Sequence, residues 1–249
     1  VMGEVDVLKS ILQLPGVTNA QEGATGFNVR GGSVDGNLVM LDEAIIYNTS
    51  HLFGFFSVFN SDVIKDLKLY KGGIPANFGG RISSVLNIYQ KEGNNKEYHA
   101  TGGLGLVSSR LLFEGPIVKE KSSFVVAGRG SYMHLFLKLA DEPNSVYFYD
   151  LNAKLNYKLN ENNSLFVSGY YGYDYMNFND ALINDYSNTF LNLRWNHIFS
   201  DKLFSNASAI YSDYDYALKI KFAGLNATTE IKNYNFKYDL KHYLSLIHI

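Results

Sequence analysis

The chain has 249 residues, a formal net charge of −2, no cysteine, and 19 Tyr and 17 Phe against a single Trp. Without cysteine there is no disulfide scaffold, thiolate metal site or cysteine nucleophile, and a near-neutral charge argues against a nucleic-acid partner, which demands a basic surface. No apolar run reaches the roughly 18 residues of a membrane-spanning helix, whereas a strand-built membrane protein, whose signal is weak in each segment, stays open.

Residues 1–92 read as one compact mixed unit. Val7, Leu8, Ile11 and Leu12 recur at helical spacing until Pro15 and Gly16 end the pattern. Segments 27–30 and 37–42 read as short strands around a glycine-rich turn at 31–36, and 55–64 reads as a second short helix. A strand is expected at 66–71 before Gly72 and Gly73, and another at 83–89 after Gly79 and Gly80. The polar stretch 91–96 marks a boundary. Both ends read as cut. Val1 is not an initiator Met, and no charged-then-apolar segment precedes it. The closing Leu244, Ser245, Leu246, Ile247, His248 and Ile249 resemble the translation of a sequencing adapter, so 244–249 is expected to be a non-native tail; a strand that simply continues is the alternative.

From residue 97 to 243 the pattern changes to about eight strand candidates. Leu151, Ala153, Leu155 and Tyr157 alternate with Asn152, Lys154 and Asn156; Leu191, Leu193 and Trp195 alternate with Asn192, Arg194 and Asn196. Tyr234, Phe236 and Tyr238 alternate with Asn235, Lys237 and Asp239. A period of two gives each strand one apolar and one polar face. Links at 116–122, 160–163 and 200–202 are tight, and longer polar links are expected near 133–146, 174–188 and 213–230. Short turns at one end, long loops at the other and aromatic strand ends favour an outer-membrane barrel over a soluble sandwich. In that barrel Leu191, Leu193, Trp195, Tyr234, Phe236 and Tyr238 face lipid, while Arg194, Asn196, Lys237 and Asp239 face the lumen.

Catalytic chemistry finds no footing. Gly102, Gly103 and Gly105 do not sit between a strand and a helix, and the six His are scattered singles without metal-ligand spacing. His51 and His134 read as surface or satisfied residues. Asp174, Asp180 and Asp185 have no fixed spacing for a cation loop, and no nucleophile has a base in pattern. Of the Tyr170–Tyr175 rings, one set is expected in the interfacial belt and the other in the lumen, where Tyr can stack on a ring-bearing ligand. Phe53, Phe55 and Phe56 read as packing against the wall.

Several blocks point further. Phe27, Asn28, Val29, Arg30, Gly31 and Gly32, then the run from Asn37 to Glu43, resemble the first plug motif of TonB-dependent outer-membrane receptors. The runs 62–72 and 76–88 resemble the family's second and closing plug blocks, and Glu114, Gly115, Pro116 and Ile117 are similar to the first periplasmic turn of its barrels. The resemblance implies an α+β plug domain over 1–92, followed at 97–243 by an antiparallel transmembrane β-barrel that is incomplete in this chain.

It implies uptake, driven through the TonB complex, of a scarce small-molecule or oligosaccharide ligand such as an iron chelate, haem or cobalamin. No catalytic, metal or cofactor site is implied. The expected location is the outer membrane of a Gram-negative bacterium, with its lipid and a surface lipoprotein as further partners. In the family, cations at the positions of Arg30 and Lys71 anchor the plug to wall carboxylates, as cations in buried strands would have to be paired. Ser33, Asp35, Asn37 and Asn77, in or beside the candidate plug loops 33–36 and 74–78, are expected to face ligand. A non-transporting barrel (adhesin or passive channel) is the alternative, and a soluble β-rich binding protein the next.

Overall fold

The computed structural model describes residues 6–20 and 26–243, so the tail at 244–249 lies outside the described residues. The first helix begins where the sequence supplies a cap. The Asp6 side chain accepts from the Lys9 amide at 3.1 Å, and α1 (Val7–Ile11) turns Val7 and Ile11 inward. β1 (Val17–Asn19) and β2 (Phe27–Val29) pair antiparallel. β3 (Asn37–Leu41), β4 (Ala44–Ile45), β7 (Ile64–Tyr70) and β8 (Ser84–Gln90) make a sheet of order β4-β3-β8-β7, with β3 and β8 parallel; β5 (Ser50–His51) and β6 (Phe56–Ser57) form a separate small hairpin. β3 is buried along its whole length, as its near-continuous apolar run requires.

The helix expected over 55–64 does not form. That stretch holds β6 and one 3-10 turn, Ser61–Val63, capped by the Asn60 side chain on the Asp62 amide at 3.0 Å. Its apolar residues serve three different surroundings: Phe56 meets Phe148 of the large sheet, Val58 and Phe59 enter the main core, and Val63 packs with Leu112 and Val125. One apolar helix face cannot supply all three.

The second region is a single sheet of eight antiparallel strands in chain order: β9 (His99–Leu104), β10 (Ser108–Val118), β11 (Ser122–Ser131), β12 (Ser145–Asn160), β13 (Asn163–Phe178), β14 (Leu182–Ser200), β15 (Leu203–Ile220) and β16 (Leu225–His242). It is not closed; β9 and β16 form its edges. A short helix, α2 (Met133–Leu139), lies in the β11–β12 link.

The long polar links expected near 174–188 and 213–230 are strand, joined by tight turns at 179–181 and 221–224; only the link holding α2 is long. Strands of 16 to 19 residues overshoot the roughly ten-residue crossing of a bilayer. In the outer half of β14, Asn184 and Asn188 on one face and Asp185 and Ser187 on the other are all polar, which hides the period of two from the sequence.

Phe27, Val39, Leu41, Phe59, Leu86 and Ile88 of the first region share one core with Tyr170, Phe190 and Ile210 of the large sheet. The compact unit therefore packs into the concave side of a curved wall. The other side of the wall carries Leu151, Leu155, Leu191, Leu193, Trp195, Tyr234, Phe236 and Tyr238, all exposed.

Candidate functional site: the seam between plug and wall

Side chains that alternate inward along the wall strands meet plug backbone bent to reach them. The β3–β4 turn places Asp42 and Glu43 in left-handed backbone, φ 46° and 73°. The buried Asp42 carboxylate accepts from the Gln90 amide at 3.0 Å and lies 3.1 Å from Lys154 Nζ, which also donates to the Gln90 carbonyl at 2.9 Å. Asn192 Nδ2 donates to the Asp42 carbonyl at 2.6 Å. Glu43 accepts from the Ser208 hydroxyl at 2.6 Å and sits 3.9 Å from Lys237. One two-residue turn thus engages β12, β14, β15 and β16.

Nearer the other end of the strands, His51 is held between two wall carboxylates. Its Nδ1 lies 2.5 Å from Asp174 and its Nε2 3.2 Å from Asp150, and the ring stacks on Phe148 at 4.3 Å. Asp174 also accepts from the Leu52 amide at 2.9 Å. Arg129 bonds Asp150 and donates to the Ser57 carbonyl at 2.7 Å. With His51 protonated, two cations face two carboxylates and the buried cluster is neutral. Burial alone would lower the imidazole pKa, but Asp174 and then Asp150 outweigh it and hold it above its ordinary value.

A third contact lies at the linker. Ser123 Oγ and Asn156 Nδ2 donate to the Glu92 carbonyl at 2.7 and 3.0 Å, and Lys91 pairs with Glu114 at 2.9 Å. Gly93 has φ +79°, and a Cβ there would fall 2.2 Å from the Phe124 carbonyl oxygen, so glycine is what lets the linker lie on the wall.

The residues singled out in the sequence fall in several places. Arg30 is not in a buried strand. It follows β2 with φ 51°, is exposed, and has no carboxylate within ion-pair distance among the described residues. Lys71 lies just past β7, half-buried, donating to the Pro15 carbonyl at 2.8 Å. Each cation thus stands just past the end of its strand rather than within it.

Asn37 has its side chain engaged inside the plug. It is buried, donating to the Phe27 carbonyl at 2.6 Å and accepting from Ser84 Oγ at 2.7 Å. Ser33 and Asp35 are exposed, and the Ser33 hydroxyl holds the Asp35 carboxyl below its ordinary range, helped by Arg81. Asn77 lines a cleft with Glu43, Arg194, Lys237 and Asp239. The Arg194 guanidinium lies over the Phe166 ring at 4.5 Å, Lys237 pairs with Asp239 at 3.0 Å, and Asn196 shares the plug-facing side of β14 with Arg194.

Tyr170 does not offer a stacking face in the lumen; it is buried against Phe190 in the shared core. Of the Phe cluster only Phe56 packs on the wall, with Phe53 and Phe55 exposed. His51 is a satisfied, buried residue, and no sequence pattern assigns it, Asp150, Asp174 or Arg129 to a seam. The signal that was present lay in Asp150, Asn152 and Lys154, polar residues spaced by two along one strand.

Comparison with known proteins accords with this arrangement. Residues 2–85 match the model of the TonB-dependent Receptor Plug Domain. No curated protein matches the chain in sequence. The siderophore receptor PirA from Pseudomonas aeruginosa is similar in structure, with TM-score 0.70 at 16% identity over 97% of this chain and 42% of that one. The copper transporter OprC gives TM-score 0.67 at 11% identity over 95% of this chain and 41% of its own. The ferric-catecholate import receptor Fiu from E. coli K12 gives 0.62 at 12% over 97% and 44%. The chain spans less than half the length of each of these structures. Residues 2–85 are thus a TonB-dependent receptor plug domain, and the chain as a whole has the fold of such a plug seated through buried ion pairs against eight strands of an outer-membrane receptor barrel.

Proposed function

We propose that the protein is an outer-membrane receptor for energy-coupled uptake, working with the TonB complex of the inner membrane and carrying no enzymatic activity of its own. The observation that supports this most is the plug's seating inside the curve of the wall by discrete polar seams, a mode of attachment that can be released without breaking a continuous sheet. A passive channel has no use for such a plug. The ligand class we favour is a metal chelate, because structurally similar proteins are named siderophore receptors and a copper transporter. Ser33, Asp35 and Asn77, exposed on the plug, are the polar groups we assign to ligand contact. Arg30 and Lys71 are proposed to seat the plug against further wall carboxylates.

Uptake of radiolabelled ferric siderophores by cells expressing the full-length receptor, with and without a protonophore and with and without TonB, tests the reading. Accumulation that requires both the proton gradient and TonB is the expected result. Accumulation indifferent to both refutes the energy coupling.

A further inference from the structure

Helix α2 rests on the outside of the wall. Its His134 ring meets Tyr147 edge-on at 5.2 Å, and Tyr147 belongs to the outward set of β12 with Tyr149, Leu151 and Leu155. Tyr132, which caps the helix, donates its hydroxyl to the Gly105 carbonyl and packs on Phe136 at 6.0 Å. Met133, His134 and Leu137 form the half-covered side. On the opposite arc, Leu135, Phe136 and Leu139 are 51%, 55% and 85% exposed. Residues 132–140 contain no carboxylate, and Lys138 is exposed.

The height of the helix follows from the strand beneath it. Tyr157 and Tyr147 lie ten residues apart on the outward face of β12, about 33 Å along the strand at ~3.3 Å per residue. A tilt of about 40° makes that ~25 Å of vertical rise, the height of the apolar band on an outer-membrane barrel. The two tyrosines therefore bracket that band, and α2 lies at its upper rim. There Tyr147, Tyr149, Tyr171, Tyr173 and Tyr175 form a network of rings with centroids 5.3 to 6.3 Å apart.

We propose that α2 is an interfacial helix that lays Leu135, Phe136 and Leu139 into the outer leaflet and turns Lys138 to its anionic head groups. This rests on the barrel reading above. The apolar arc is continuous with the lipid-facing girdle, Lys138 forms no ion pair among the described residues even though Asp141 and Glu142 follow the helix, and such an arc left in water would be a liability.

The full-length receptor, reconstituted in phosphatidylethanolamine–phosphatidylglycerol vesicles, would carry a nitroxide at Phe136→Cys, Leu139→Cys, Leu193→Cys or Asn196→Cys. Collision rates with oxygen and with a water-soluble nickel chelate are compared, the unsubstituted receptor serving as blank. Oxygen collisions should exceed chelate collisions severalfold at 136, 139 and 193, and the reverse should hold at 196. Adding Phe136→Asp should shift position 139 toward the chelate. If 136 and 139 favour the chelate while 193 favours oxygen, α2 lies in water and the inference is overturned alone. If 193 also favours the chelate, the barrel reading falls with it.

Discussion

The Asp42–Lys154 pair offers the sharpest test of how the plug is held. The two side chains are almost wholly buried at 3.1 Å, one on the plug and one on the wall. At an effective dielectric of about 20, charges at that separation attract by roughly 5 kcal/mol, against which each must be desolvated. Lys154→Met should loosen the plug by about 3–5 kcal/mol, because it strands the Asp42 carboxylate. Asp42→Asn should cost less, since the amide oxygen can still accept from the Gln90 amide, although Lys154 keeps its bond to the Gln90 carbonyl. The double variant should recover much of the loss. The readout is the urea midpoint of plug release in the full-length, membrane-embedded receptor, followed by hydrogen exchange of the β3 and β8 amides, with barrel strands as internal control. A coupling energy below about 0.5 kcal/mol, the scatter expected of independent sites, would refute the claim that this pair joins plug to wall.

Other outcomes follow from the same seam. Folding raises the His51 pKa above 6.5, so its stabilising contribution is complete below pH 6.5 and lost as the pH rises through the folded value; His51→Gln should flatten the pH dependence of plug exchange above 6.5. Gly93→Ala should destabilise the plug–wall junction by more than about 1 kcal/mol, from both its positive φ and its contact with Phe124, read as a lower urea midpoint. Leu193→Arg should cost roughly 2–4 kcal/mol in barrel folding into vesicles if that face meets lipid, whereas Asn192→Ala should leave barrel assembly intact and weaken only plug retention. Arg30→Ala should raise ion leakage through the full-length receptor in planar bilayers if Arg30 seats the plug, and leave it unchanged if Arg30 is only a solvated cation.

The strands were legible where one face is apolar. Leu151 to Tyr157 and Leu191 to Trp195 declare their period of two because lipid-side and lumen-side chemistry differ. The same strands went unread at 174–188, where Asp174 and Asn188 face the plug while Asp185 and Ser187 face away, so both sides are polar. Four short motifs carried the identity of the plug, but its internal elements were misjudged wherever tertiary contacts dispersed a local apolar run, as at Phe56, Val58, Phe59 and Val63. The site was the least legible part. His51 is an ordinary loop residue in sequence, and only the register of β12 against β13 brings Asp150 and Asp174 to opposite sides of its ring. Arg30 shows the converse: a motif position read as part of a buried strand, and the residue follows the strand in left-handed backbone instead.

Tyr170, Phe190 and Ile210 belong to the wall yet complete the apolar interior of the plug. Withdrawing the plug as a rigid cork would bare both halves of that interior to water at once, at about 1.5–3 kcal/mol for each large side chain uncovered. A pulling force meets far less resistance from the segment between β7 and β8, which contributes nothing to that cluster. If the receptor works as proposed, freeing a part of the plug costs less than ejecting the whole, and the apolar joint is the part that would stay in place.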